Sequence, residues 1–242
     1  MKKILTSLVF FVVIASSVYG VSFNDFLLVA NQKNTILNAF AKDVGSLLGG
    51  GFINGNNPGF PGLDISGKFV MLDKPTAGDV ILPANTLLGL PYAQVEVGLP
   101  MDLSVVARGM TLPIDSNSVV LFGGGVKYKL LNDSIALPGV AVLATYSGIS
   151  GVPSFDASVY SLNISISKSL SPVPLTIFVY AGMDVTSVSS KVPGFTTLKG
   201  NDTSYRVNAG ARFSPLPLVY VEADMGFFAA NTNYNIAAGL SF

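Results

Sequence analysis

The 242-residue chain contains no cysteine, no histidine and no tryptophan, and only 12% of its residues are charged. Without cysteine there is no disulfide, no thiolate nucleophile and no sulfur-ligated metal. A lipid-anchored lipoprotein is excluded for the same reason. Without histidine, the usual general base near neutral pH is missing, and with it the Ser/His and Asp/His hydrolase constellations. Long apolar runs are missing as well. No later stretch approaches the roughly 18 uninterrupted apolar residues of a membrane-crossing helix. Nor is there an excess of one charge: with Lys2 and Lys3 set aside, 12 basic residues face 14 acidic ones, a balance that offers nothing to nucleic acid.

What is present in quantity is hydrophobicity, at 50% of residues. That fraction suits either a very oily soluble domain or a barrel facing lipid, and periodicity has to separate them. The amino terminus gives the first indication. Met1-Lys2-Lys3 is a short basic start, Ile4 to Ile14 is apolar, and Ala15 to Gly20 ends in small residues, with Val18 and Gly20 at the spacing a signal peptidase reads. Residues 1–20 therefore read as a cleaved secretory signal. An uncleaved anchor is the competing reading, but eleven apolar residues are too few to span a bilayer.

Residues 21–62 form a second block. Phe26, Ala30, Leu37, Ala41, Val44 and Leu48 recur at helical spacing, Asn24 or Asp25 can cap the start, and Gly49-Gly50-Gly51 is a stop, so a helix is predicted over 24–48. The stretch from Phe52 to Gly62, rich in Gly, Asn and Pro, reads as a linker.

From residue 63 onward a period of two takes over. Ten strands are predicted, at 63–72, 90–99, 102–111, 118–131, 138–148, 155–168, 174–187, 203–213, 218–228 and 233–242. Shifted boundaries would make the count eight or twelve. Short turns follow the even-numbered strands, and longer, more polar links follow the odd ones, notably 73–89 and 187–202. This asymmetry belongs to a transmembrane barrel with both ends on the short-turn, periplasmic side.

Strand faces carry the argument further. In 203–213, Tyr205, Val207, Ala209, Ala211 and Phe213 alternate with Arg206, Asn208, Gly210 and Arg212. One face is wholly lipid-compatible. The same parity sets Asp64, Lys68, Glu96, Arg108, Lys127, Lys129, Asp184, Arg206, Arg212, Glu222 and Asp224 on the opposite, lumen-lining faces. A basic residue on the lipid face near the midplane costs about 2–4 kcal/mol, so parity of this kind is expected of a barrel. A soluble sandwich also alternates, but its outer face would carry more charge and its strands would be shorter. Aromatics form two girdles: Tyr146, Tyr160, Tyr205, Phe227 and Tyr234 toward the loops, and Tyr128, Phe213 and Phe242 toward the turns.

The last strand alternates to a terminal aromatic, with Tyr234, Ile236, Ala238, Leu240 and Phe242 on one face. It resembles the closing strand of bacterial outer-membrane β-barrels, and the resemblance implies that Tyr234, Ile236, Leu240 and Phe242 are read by the barrel-assembly machinery. Signal, terminal strand, short turns and two-period strands together look like the small outer-membrane β-barrel proteins over residues 63–242. The run Asn56-Asn57-Pro58-Gly59-Phe60-Pro61-Gly62-Leu63-Asp64-Ile65 behind a helix is similar to an uncharacterised outer-membrane family with an amino-terminal helical segment. It is more weakly similar to the hatch region of the hydrophobic-compound transporters.

The expected fold is thus all-β, an antiparallel transmembrane β-barrel of about ten strands with one amino-terminal α-helix. Its expected place is the bacterial outer membrane, with lipid and the assembly machinery as partners. The expected function is porin-like: passive passage or binding of small solutes, hydrophobic ones included, through a narrow charged lumen. The alternative is a closed structural or surface-interaction barrel displaying loops 73–89 and 187–202. No enzyme activity, cofactor, metal or nucleic-acid partner is expected. Glu222 and Asp224 lie about 6.5–7 Å apart on one face, but nearby Arg206 and Arg212 favour ionised structural carboxylates over a catalytic pair. Gly123-Gly124-Gly125 reads as a thin patch of wall, and Asp73, Asp79 and Asp115 as solvated loop charges. Pairing Thr186 with Ser204 and Phe213 with Val219 predicts a charge ladder with Arg206 at its junction between Asp184 and Asp224. The helix fits inside the lumen, at its periplasmic mouth, or on the membrane surface.

Overall fold

The computed structural model describes residues 34–54, 58–79, 81–82, 87–114, 117–152, 155–191, 198–228 and 231–242. The expected signal at 1–20 and the expected helical residues 24–33 lie outside them. One helix, α1 (Asn34–Gly49), is followed by ten strands: β1 (Gly62–Leu72), β2 (Leu88–Gly98), β3 (Leu103–Ile114), β4 (Asn117–Leu131), β5 (Gly139–Ser150), β6 (Phe155–Ser169), β7 (Leu175–Ser190), β8 (Lys199–Phe213), β9 (Val219–Phe228) and β10 (Asn231–Ser241).

Every strand pairs antiparallel with its chain neighbours, and β1 closes the sheet on β10, from Asp64 opposite Ser241 to Leu72 opposite Asn233. Closure removes both sheet edges, which settles barrel over sandwich. The short turns at 99–102, 132–138, 170–174 and 214–218 lie at the same end as Gly62 and Phe242, here called the turn end. In the first of these turns Met101 and Asp102 take positive φ values of 65° and 58°, the left-handed pair that a tight hairpin requires. The links after β1, β3, β5, β7 and β9 lie at the opposite, loop end.

Alternation gives the wall two chemically distinct surfaces. Val179, Val207, Val221, Met225, Phe227 and Ile236 are exposed on the outside, as are Tyr128, Tyr160, Tyr205, Phe213 and Phe242. Tyr146 and Tyr160 face each other across β5 and β6 with ring centroids 4.9 Å apart. Among the described residues no helix is long and apolar enough to cross a membrane, which says nothing of strands.

Two expectations of register are corrected. Asp184, not Thr186, lies opposite Ser204, and Phe213 pairs with Val221, not Val219. The first arises because β7 and β8 continue to Ser190 and back from Lys199, so the link between them is shorter than the 187–202 loop expected; the second lies at the other end of β8, where its pairing with β9 ends at Val221 and leaves Val219 on the turn side. The pairing of β8 with β9 begins only at Arg206 opposite Phe228, so the part of β8 before Arg206 rises past the β9–β10 hairpin. A notch of about 460 Å³ opens there, lined by Tyr205, Val207, Phe227 and Lys42 of the helix among others.

Candidate functional site in the barrel lumen

Helix α1 lies inside the barrel. Its Leu37, Phe40, Ala41, Val44, Leu47 and Leu48 are buried in one apolar cluster with Val70, Leu72, Leu88, Val119, Leu121, Phe155, Val159 and Val188 of the wall. The helix enters at the loop end, where Leu37 lies against Gly200 and the Asn201 amide donates to Asn38 Oδ1 at 2.9 Å. It descends past Thr186 and Phe228 beside Gly45 and reaches Asp184 beside Gly49. Gly51, at φ 72°, turns the chain out of helical geometry. Phe52 and Ile53 continue downward, Phe52 against Gly123, and Pro58 and Gly59 arrive at the turn end beside Gly62 and Gly98. Residues 52–54 of the segment expected as a simple linker therefore lie in the lumen, and the Gly123 patch accommodates the Phe52 ring. Of the three expected helix positions, the interior is the one observed.

The wall holds this segment by its backbone. A helix leaves its last carbonyls without internal partners, and here three strands supply donors. Tyr92 of β2 donates to the Leu47 carbonyl at 3.3 Å. Arg108 of β3 donates to the Leu48 carbonyl and, at 2.6 Å, to that of Gly50. Lys68 of β1 donates to Gly51 at 2.7 Å and to Ile53 at 3.1 Å. Gln94 donates to Phe52 at 3.2 Å, and Asn54 in turn donates to Glu96 at 3.2 Å. Two cations at a helix carboxyl terminus also suit its negative pole.

Most of the remaining lumen charges are paired with one another. Lys127 lies 2.7 Å from Glu96, which also accepts from Ser104 at 2.8 Å. Arg212 reaches Asp64 at 2.7 Å and Glu222 at 3.7 Å, and Lys68 lies 3.9 Å from Glu222. Tyr220 donates to Asp64 at 2.7 Å. Arg206 pairs with Asp184 at 2.9 Å and donates to Asn163 at 3.2 Å. Asp224 accepts from Tyr180 at 3.0 Å, Asn208 at 2.8 Å and Asn235 at 2.7 Å. It does not meet Arg206, so the expected ladder is broken there: Asp224 lies opposite Gly210, two registers from where the ladder needs it. Lys129 sits apart at the turn-end rim, its side chain 18% exposed and 3.9 Å from Asp102. On β10, Ile236, Leu240 and Phe242 are exposed outward and Tyr234 is half-buried.

The lumen thus has two halves, apolar around the helix and charged around the extended segment. The apolar half is absent from the sequence expectation, although its signal is present. Along β1 the inward residues run Asp64, Ser66, Lys68 and then Val70 and Leu72; along β6 they run Phe155, Ala157, Val159 and then Ser161 and Asn163. A polar-to-apolar change on one inward face marks where an apolar helix packs.

A second cluster lies at the loop end. Asp43 of α1, unexposed at 0%, accepts from the Thr76 amide at 2.8 and 3.0 Å, from Thr76 Oγ1 at 2.6 Å and from Asn231 of β10 at 3.0 Å. Asp79, expected as a solvated loop charge, is only 7% exposed, and its Oδ1 accepts from the amides of Ile81 at 2.8 Å and Leu82 at 3.2 Å. Its loop folds inward, carrying Ile81 and Leu82 into the helix cluster. Asp73 is exposed and Asp115 lies outside the described residues.

These features define a closed ten-stranded antiparallel barrel occupied by its own amino-terminal segment. The chain belongs to the family described as a family of unknown function, DUF6588, which matches residues 75–242. No curated protein matches it. Among solved structures it is similar to the amino-terminal β-barrel domain of Pseudomonas aeruginosa OprF, at 12% identity over 75% of this chain and 98% of that one, with a TM-score of 0.39. It is similar to the outer membrane protease OmpT from Escherichia coli, at 14% identity over 75% and 95%, TM-score 0.42. It is also similar to the translocator domain of the autotransporter NalP from Neisseria meningitidis, at 10% identity over 94% and 99%, TM-score 0.39.

Proposed function

We propose that the protein is a bacterial outer-membrane β-barrel held shut at rest by residues 34–54, and that small solutes pass only when this segment withdraws. One observation carries the reading: lumen cations donate to the backbone carbonyls of the segment rather than lining an open path. The exposed apolar outer face and the strand lengths of 10 to 16 residues support the membrane setting. The secretory signal and the reading of β10 by the assembly machinery belong to the same proposal. No catalytic step is assigned, because the lumen carboxylates are taken up by ion pairs and hydrogen bonds and the chain has no histidine to act as base.

Single-channel conductance in a planar bilayer tests this. The full chain passes almost no ions, whereas a variant lacking residues 34–54 conducts. A full chain as conductive as that variant overturns the reading. A silent full chain beside a silent, folded deletion variant favours a closed structural barrel, which the internal pairing of the lumen charges also fits.

A further inference from the structure

The direction in which the chain threads its own barrel decides which side of the wall its start lies on. We propose that the barrel is a mount for its amino terminus: the chain before Asn34 leaves the lumen at the loop end and is presented on the outer face of the cell. The proposal rests on the outer-membrane reading given above.

Contacts at the two ends establish the direction. At the turn end the Gly59 carbonyl lies against the backbones of Gly62 and Gly98, where β1 begins and β2 ends. At the loop end the Leu37 carbonyl lies against Gly200, and the Asn201 amide donates to Asn38 Oδ1 at 2.9 Å. Asn201 stands five residues before Arg206, where the pairing of β8 with β9 begins, and so lies about 17 Å further along the strand. The helix is therefore still running where it passes the β9–β10 hairpin. Thr35, exposed, lies most of a turn further out.

The wall accepts only this polarity. Lys68 and Arg108, both buried, donate to the carbonyls of Leu48, Gly50, Gly51 and Ile53 at and just beyond the helix carboxyl terminus. A helix running the other way would set amide donors against these donors, and its positive pole against two cations. The carboxyl end is thus the end held within the barrel. The amino end is left at the loop-end mouth.

In a barrel whose short turns are periplasmic, that mouth faces outward. The loops otherwise suited to display are reduced. In the link after β1, Thr76 is bonded to Asp43 of the helix, and Ile81 and Leu82 are buried in the helix cluster. Strands β7 and β8 leave only residues 191–198 between them. Asn231 of β10 also donates to Asp43, so the same contacts that draw the loop inward keep the helix seated with its start outward.

The cysteine-free chain allows a direct test. Three single-cysteine variants are made, all at exposed positions: Thr35→Cys at the helix start, Ala77→Cys in the link after β1 and Ile135→Cys in the turn after β4. Each is expressed in a bacterium with an outer membrane and treated with a membrane-impermeant maleimide before and after permeabilisation. Thr35→Cys and Ala77→Cys should label fully in intact cells, and Ile135→Cys only after permeabilisation. A Thr35→Cys that needs permeabilisation, beside an Ala77→Cys that does not, overturns this proposal alone. Protection of Ala77→Cys in intact cells overturns the outer-membrane orientation, and the proposal with it. Where Thr35→Cys does not fold, judged by gel migration of unheated samples, a short epitope inserted before Asn34 is probed with its antibody. Binding on intact cells supports the proposal, and binding only after permeabilisation overturns it. Because labelling reports position and not flux, a conducting full chain, which overturns the plug, leaves this result readable.

Discussion

The guanidinium of Arg108 lies 3.5 Å from the ring centroid of Phe52 and 4.3 Å from that of Tyr92, with its terminal nitrogens on the carbonyls of Leu48 and Gly50. A wall cation, 5% exposed, thus finds partners for both terminal nitrogens without a carboxylate of its own. Aromatic faces and the negative end of a helix take the place of the missing anion. The plug and the wall are consequently one polar network. Neither could be reshaped without leaving buried groups of the other unpaired.

Removing that cation tests the connection. Arg108→Ala deletes two charge-assisted hydrogen bonds and a stacked contact and should cost about 2–4 kcal/mol in urea unfolding. It should also raise the open-channel probability in bilayers, because the helix carboxyl terminus loses its main anchor. Arg108→Lys keeps the charge without the fork and should fall between. A destabilised but silent Ala variant would mean that Lys68 and Gln94 suffice to hold the segment.

The helix is also held by close approach. A Cβ at Gly200 would collide with the Leu37 carbonyl oxygen, whereas at Gly67 it would meet nothing within 4 Å. Gly200→Ala should therefore push the helix from the β8 wall and raise conductance, while Gly67→Ala should behave as wild type. Equal behaviour of the two variants would show that the helix does not press on β8.

Much of this architecture was legible in the sequence, and the rest was hidden for identifiable reasons. The period of two separates Arg206, Asn208 and Arg212 from Tyr205, Val207 and Phe213 without ambiguity, and the observed strand follows that parity. Its start does not follow: Lys199 to Asp202 are polar on both faces and read as loop, yet they pair with β7 beyond the point where β9 ends. The register of β7 against β8 goes with that boundary, since the loop length sets it. The inward direction of Lys68 and Arg108 was legible. Their partners were not, because a backbone carbonyl at Gly50 or Gly51 has no side-chain signature. Asp43 has no signal on a helix whose apolar stripe dominates, and Asp79 looks like any loop carboxylate although its loop folds inward and buries it.

The outer surface gives a prediction for the membrane setting. Val179 is exposed on β7, four residues inside its turn end and opposite Ala209 of β8. If that face meets hydrocarbon, Val179→Arg should cost about 2–4 kcal/mol and slow folding into bilayers. The measurement is folding yield in lipid vesicles, read from the shift in gel migration between unheated and heated samples. Tolerance of arginine here, with a mature chain soluble without detergent, would remove the barrel from the membrane.

The pair Arg206 and Asp184 provides the sharpest energetic test, because both are buried and 2.9 Å apart although they are not directly opposite. Arg206 faces Gly182 across the ladder, and its side chain reaches diagonally to Asp184 and Asn163. Removing the cation alone strands a carboxylate beside the end of the plug helix, where Gly49 packs on it. Arg206→Ala should therefore cost about 3–5 kcal/mol, more than the pair itself contributes. Arg206→Ala combined with Asp184→Ala should recover part of that loss, giving a coupling of about 0.5–3 kcal/mol in a double-mutant cycle. The same cycle between Arg206 and Asp224 should show no coupling beyond error, since Asp224 is satisfied by Tyr180, Asn208 and Asn235. Strong coupling of Arg206 to Asp224 as well as to Asp184 would restore the junction read from the sequence and displace the register described for β8 and β9.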